Sequence, residues 1–185
     1  MNLKKFLKAA LCGAMVVAMA VTAGCGGGDK KVDSGKKVLK VGMECAYAPY
    51  NWSQPSADGG AVKIAGSNEY AYGYDVMIAK KLADSMGADL EIHKIEWDGL
   101  APAVVSGKID AAIAGMSITS KRKESVDFTK PYYYATVVAL VKKDSPQAQA
   151  KSVADLKGSI ATSQLNTIWY DQIDQVPDVK KLPAI

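Results

Sequence analysis

The residues best suited to chemistry lie together in Ala114-Gly115-Met116-Ser117-Ile118-Thr119-Ser120-Lys121-Arg122-Lys123-Glu124. This stretch places Ser and Thr hydroxyls and free backbone N–H groups where an apolar strand ends and a helical turn starts, with Arg122 one turn inside. A helix N-terminus attracts anions, and a planar guanidinium grips a carboxylate through two parallel hydrogen bonds, each worth about 1.5–3 kcal/mol. The combination suits a carboxylate receptor. The same residues also suit a capped helix carrying a solvated Arg. Aromatic side chains supply walls: Tyr47, Tyr50 and Trp52 follow one predicted strand and Trp97 another, so three strand ends would face one crevice. At least one of these rings is expected to pack under a loop instead.

Elements must position these residues. Val38–Glu44 and the stretch around Leu90 and Ile92 have strand patterns, and Asp110–Met116 is an almost uniformly apolar strand. Between the first two, Val76, Ala79, Leu82, Ala83 and Met86 recur at helical spacing and Gly87 supplies a stop. Asp98 is placed to cap a helix running through Leu100, Val104 and Val105 to Gly107, with Pro102 tolerated near its start. Strand, helix, strand, helix, strand with short connections predicts an α/β fold on a parallel sheet. The long stretch 51–72 is expected to hold a hairpin-like excursion through Ala61–Ala65. Tyr132–Val141 is aromatic and β-branched, and a polar break follows at 142–150. Ser152 and Asp155 resemble a capping box for a short helix ending at Gly158. Ser159–Ser163 then predicts a strand and Thr167–Val176 its helix, the start of a second unit.

Composition narrows the function. The chain has 185 residues, 49% hydrophobic and 23% charged, which sets aside disorder and coiled coil. Its net charge of +4 depends on Lys4, Lys5 and Lys8. Without them the balance is near neutral, so no nucleic-acid partner is expected. One His and three Cys without zinc spacing argue against a metal site, a cofactor or a His-based triad, and His93 reads as structural. A phosphate-cradling Gly-x-x-x-x-Gly-Lys motif is absent, so the chain is not itself an ATPase of that type.

The N-terminus reads as an address. Three lysines lie within residues 1–8, and an uncharged apolar run over residues 9–24 ends in Ala23-Gly24-Cys25. The run is short for a membrane span, which needs about 20 residues. This layout resembles a bacterial lipoprotein signal, with Val21 and Thr22 a modest departure from the preferred Leu. The resemblance implies cleavage after a 1–24 signal peptide, acylation of the Cys25 sulfur, and anchorage on the extracytoplasmic face of the cell membrane. Residues 25–37 read as a flexible tether. With Cys25 acylated, Cys45 has no disulfide partner and is expected to be a buried small residue.

Five further motifs stand in order: Gly73-Tyr74-Asp75, Glu96-Trp97-Asp98-Gly99-Leu100, Ser106-Gly107-Lys108-Ile109-Asp110-Ala111, Gly115-Met116-Ser117-Ile118-Thr119 with Arg122, and Val126-Asp127-Phe128-Thr129-Lys130-Pro131-Tyr132-Tyr133. Together they resemble the polar amino-acid solute-binding proteins of ABC importers over residues 38–180. The resemblance implies a two-lobed clamshell of the type II periplasmic-binding fold, with 38–141 as a nearly complete first lobe and 142–185 as the start of the second. By the same resemblance, Arg122 grips the ligand carboxylate, Ser117, Thr119 and the Gly115 backbone complete that site, and Tyr47 and Trp97 sandwich the ligand side chain. Glu44 stands at the side-chain end, which suits a cationic amino acid. Gln164 and Thr167 are the second-lobe contacts. Asn166 replaces the usual Gly between them, and Asn can adopt the left-handed backbone that such a turn requires.

The expected partners are an amino acid, an ABC permease with its ATPase subunit, and the membrane through the lipid anchor; a monomer is the expected state. In that family the second lobe runs well past the equivalent of residue 185, so the chain reads as a fragment of such a protein. Two other functions share the fold class. A dehydratase-like extracytoplasmic enzyme would need a placed acid, for which Glu44 and Glu96 are candidates without a paired carboxylate. A ligand-sensing ectodomain is the other.

Overall fold

The computed structural model describes Gly35 and residues 37–185. The leader at 1–24, the attachment site at Cys25 and nearly all of the tether lie outside the described residues.

The first strand, β1 (Val38–Met43), buries Leu39, Val41 and Met43 and exposes Val38 and Lys40. A short antiparallel set comes next in the chain: β2 (Ala46–Tyr47), β3 (Asn51–Gln54), β4 (Val62–Lys63) and β5 (Tyr70–Tyr72), in the order β2-β3-β5-β4. The predicted excursion is therefore present, with β4 paired antiparallel to β5. Helix α1 (Tyr74–Met86) leads to β6 (Asp89–Lys94), which lies parallel to β1 with Val41 opposite Ile92. Helix α2 (Leu100–Val105) then leads to β7 (Ala111–Ala112), parallel to β1 on its other edge, completing the order β6-β1-β7. The α/β class expected from the strand and helix alternation is the class observed.

Helix α1 packs on β5 and β6 through Val76, Ala79 and Ala83. Two residues of its predicted stripe, Leu82 and Met86, are instead 38% and 55% exposed. The small Ala side chains let the helix axis sit close to the sheet, so the larger residues fall on its flank. Gly87 ends the helix in the left-handed conformation, its N–H donating to the carbonyls of Ala83 and Asp84.

Two further expectations are corrected. Asp98 does not cap α2: it lies in a 3-10 turn, Trp97–Gly99, that runs straight into the helix, and its carboxylate accepts from Asn166 instead. The helix also ends at Val105, short of Gly107. The strand expected over Asp110–Met116 pairs only at Ala111–Ala112, with two further backbone bonds to β1, from Asp110 N–H to the Lys40 carbonyl and from Ile113 N–H to the Gly42 carbonyl. The chain then leaves the sheet and turns at Gly115, where φ is 63°.

Helix α3 (Ser120–Lys123) is one turn, capped by the Thr119 hydroxyl. The aromatic run from Tyr132 joins no ladder among the described residues, and Tyr134, Val138 and Leu140 are exposed. Beyond it the Ser152 N–H and hydroxyl both donate to Asp155 Oδ2 at 2.9 Å, fixing a 3-10 turn at Val153–Leu156. Strand β8 (Ile160–Ala161), helix α4 (Ile168–Gln172) and strand β9 (Lys180–Lys181) form the second β-α unit, with β8 and β9 parallel. Residues 35–185 make one compact unit. Among the described residues, no helix is long and apolar enough to cross a membrane.

Candidate functional site

Three chain segments end at one place: the loop after β1, the turn after β6 and the loop after β7. A buried hydrogen-bond chain ties two of them together. The Asn51 carbonyl oxygen Oδ1 accepts from Cys45 N–H at 2.8 Å, and Asn51 Nδ2 donates to Asp75 Oδ2 at 2.7 Å. The Tyr132 hydroxyl donates to Asp75 Oδ1 at 2.9 Å and accepts from Gly115 N–H at 2.9 Å. Asn51 and Asp75 are fully buried, so the two bonds that Asn51 makes work in a low-dielectric interior where an unmade one is costly, while the Tyr132 end of the chain is more open. Gly73 permits the arrangement. Its φ is 125°, and a Cβ there would lie 2.3 Å from the Tyr50 carbonyl oxygen that accepts from Asp75 N–H.

Above this scaffold Glu44, Tyr47, Trp97, Ala114, Gly115, Gln164 and Trp169 line a cavity of about 20 Å³. That is space for about one water molecule. Tyr47 stacks on Tyr50 at 5.0 Å and meets Trp169 at 6.4 Å. Glu44 Oε1 accepts from Gln164 Nε2 at 3.1 Å. Burial raises the Glu44 carboxyl above its ordinary value; the Gln164 bond works against this, and Glu96 and Asp98 add to it.

Arg122 sits at the edge of the cavity, its guanidinium 5.3 Å from the centre of the Trp97 ring. Its Nη1 donates to the Ser117 carbonyl at 2.7 Å and its Nη2 to the Asn166 carbonyl at 2.9 Å. Burial lowers its pKa, and Asp171 counters that. Trp97 Nε1 donates to the same Asn166 carbonyl at 3.2 Å.

Of the residues singled out from sequence, Glu44, Tyr47, Trp97, Gly115 and Gln164 share the cavity and Arg122 borders it. Ser117 meets Arg122 through its carbonyl, and Thr119 caps α3 by accepting from Arg122 N–H at 3.1 Å. Thr167 is buried; its hydroxyl donates to the Gln164 carbonyl and accepts from Tyr170 N–H, which caps α4. Trp52 meets Tyr72 edge-on at 5.1 Å, outside the cavity lining, as expected of at least one aromatic. His93 lies on β6 with Nε2 2.8 Å from Glu91 Oε1. Cys45 is buried, and burial pushes its thiol up to about 11.

Sequence reasoning missed Trp169 and the partnership of Asn166. A large aromatic in the first turn of a helix beside Gln164 was the available signal for Trp169. Asn166 takes the left-handed conformation anticipated for it, with φ at 57°. Among the described residues, no group of three or more His, Cys, Asp or Glu could hold a metal ion.

A parallel sheet whose strand ends carry an aromatic cleft, with a second β-α unit pressed across that cleft, is an arrangement of the type II periplasmic-binding fold. Residues 39–179 match the bacterial extracellular solute-binding proteins, family 3, and the chain belongs to that family. It is 34% identical over 159 residues to the arginine-binding extracellular protein ArtP of Bacillus subtilis, covering 86% of this chain and 56% of ArtP. The chain thus spans about half the length of such relatives. Among solved structures, the substrate-binding protein of an amino acid ABC transporter is similar with a TM-score of 0.63 and 33% identity, over 78% of this chain and 59% of that one. The ancestral amino acid-binding protein AncCDT-1, a precursor of cyclohexadienyl dehydratase, is similar with a TM-score of 0.64 and 33% identity, over 79% and 60%.

Proposed function

We propose that the protein captures a polar, cationic amino acid on the extracytoplasmic face of the membrane and delivers it to an ABC permease driven by a separate ATPase subunit. It acts as a monomer held by a lipid on Cys25, and it performs no covalent chemistry. The carrying observation is Glu44, a carboxyl drawn into a cavity walled by Tyr47, Trp97 and Trp169, with Glu96 and Asp98 adding to its negative surroundings. An aromatic cavity with an acid in its wall attracts a cation by charge and by the ring faces. The name of ArtP supports the same ligand class.

In this reading Arg122 takes the ligand α-carboxylate, with Ser117, Thr119 and the Gly115 backbone around it. Tyr47 and Trp97 sandwich the ligand side chain, and Gln164 and Thr167 approach from the second lobe. The cleft opens between 38–141 and 142–185 to admit the ligand and closes on it. A ligand cation offsets the forces that raise the Glu44 carboxyl, so binding draws that group to its charged form. Affinity is therefore expected to fall as the pH drops through the raised Glu44 value.

Calorimetric titration of the full-length parent protein with the twenty amino acids and ornithine tests this. Heat with arginine, lysine or ornithine that Glu44→Gln weakens supports the reading. Preference for a neutral or acidic amino acid refutes the cationic ligand, and silence across the panel refutes the receptor.

A further inference from the structure

The second β-α unit is tied across the cleft through one residue that makes two kinds of contact. The Asn166 carbonyl accepts from Arg122 Nη2 at 2.9 Å and from Trp97 Nε1 at 3.2 Å. Its side-chain Nδ2 donates to Asp98 Oδ1 at 2.9 Å. The left-handed backbone at φ 57° aims the carbonyl at the guanidinium while the side chain reaches Asp98. Gln164 adds a neighbouring bond to Glu44. With all of these made, the cavity has a volume of about 20 Å³, which admits about one water and no amino acid.

We propose that Asn166 is an affinity-setting latch: it fastens the cleft shut upon itself, with its own carbonyl on the Arg122 donor that a ligand carboxylate would use. Capture then requires the latch to release. A protein whose binding-competent state is only fractionally populated shows an affinity reduced by that fraction. The latch therefore lowers apparent affinity and restricts capture to ligands able to outbid the Asn166 carbonyl at Arg122. The inference rests on the amino-acid-capture reading for its ligand, whereas the Asn166 contacts are made by this chain's own groups.

The separating substitution is Asn166→Gly, which keeps the left-handed backbone and its carbonyl while deleting the bond to Asp98. Asp98→Ala removes the same bond from the other side but also lessens the negative surroundings of Glu44, so it is read by scattering alone. A single exposed hydrogen bond is worth enough that Asn166→Gly is expected to bind L-arginine about two- to tenfold more tightly than the parent. The double variant is expected to expand no more than either single one, because both delete one contact. Small-angle scattering of the ligand-free, full-length protein is expected to show a larger radius of gyration in both variants. Unchanged scattering in both variants, or L-arginine binding that is measurable in the parent and unchanged or weaker in Asn166→Gly, overturns the latch. If the parent and variants bind no amino acid while the variants expand, the latch stands and the capture reading fails.

Discussion

Replacing Asp75 with Ala tests the buried hydrogen-bond chain that holds the cleft loops. Asp75 has no exposed surface, and its two carboxylate oxygens accept from Asn51 Nδ2 and from the Tyr132 hydroxyl. The substitution strands the Asn51 donor in the interior and leaves the part-buried Tyr132 hydroxyl without its acceptor. Each orphaned buried group costs about 1–3 kcal/mol, which sets a gross loss of about 2–6 kcal/mol. Deleting the carboxyl also removes the penalty of burying it, so the net loss is expected near 2–4 kcal/mol, a large share of the 5–15 kcal/mol that typically separates folded from unfolded. Urea unfolding measures it through the midpoint at constant slope. Tyr132→Phe is the control. It withdraws one donor from Asp75 and leaves the exposed Gly115 N–H to water, so it is expected to cost about 1 kcal/mol. A loss below about 1 kcal/mol for Asp75→Ala, or one no larger than for Tyr132→Phe, would refute the chain as the element holding these loops.

The same carboxyl has a pH signature. Burial raises it above its ordinary value by more than the bonds from Asn51 and Tyr132 lower it. The folded protein thus holds the Asp75 proton more readily than the unfolded chain. Its contribution to stability is present in acid and is lost as pH rises from the ordinary carboxylate range through the raised value. Relative to Asp75→Asn, the parent is therefore expected to gain stability as the solution is acidified towards about pH 4. A relative loss over that interval contradicts the desolvation argument.

Arg122→Ala is expected to abolish amino-acid binding by calorimetry while shifting the urea midpoint little, because the side chain is only part-buried; a folded variant that binds like the parent removes Arg122 from the carboxylate site. Gly73→Ala is expected to cost about 3 kcal/mol or more, since its Cβ would meet the Tyr50 carbonyl oxygen at a φ of 125°; an unchanged thermal midpoint shows the approach to be looser than described. Cys45, with its thiol pushed up to about 11, is expected to resist Ellman's reagent at pH 8 until denaturant is added, and rapid labelling of the native protein contradicts its burial.

Local pattern by itself determined the long helix α1. The spacing of Val76, Ala79 and Ala83 and the stop at Gly87 define α1, because a helix face and its C-cap are set by residues within one or two turns of each other. Alternating strands and helices with short links likewise predicted a parallel sheet, whereas the order β6-β1-β7 came from the tertiary structure. Tyr47, Trp97 and Arg122 were legible from their chemistry at predicted strand ends, whereas Glu44 and Gln164 were reached through a family resemblance, since nothing in the local spacing of Glu44 marks it as a cavity wall.

Only the tertiary structure decided where Asp98 and Asn166 point. Asp98 stands where a helix cap is chemically reasonable, yet its carboxylate is taken by a residue 68 positions away, and Gln164 meets Glu44 across 120 positions. Such pairings depend on how the second β-α unit docks on the first sheet, which is a sum of many packing contacts and is encoded in no short window of sequence. Propensity fixed that Asn166 could turn left-handed; docking placed the carbonyl so turned on Arg122.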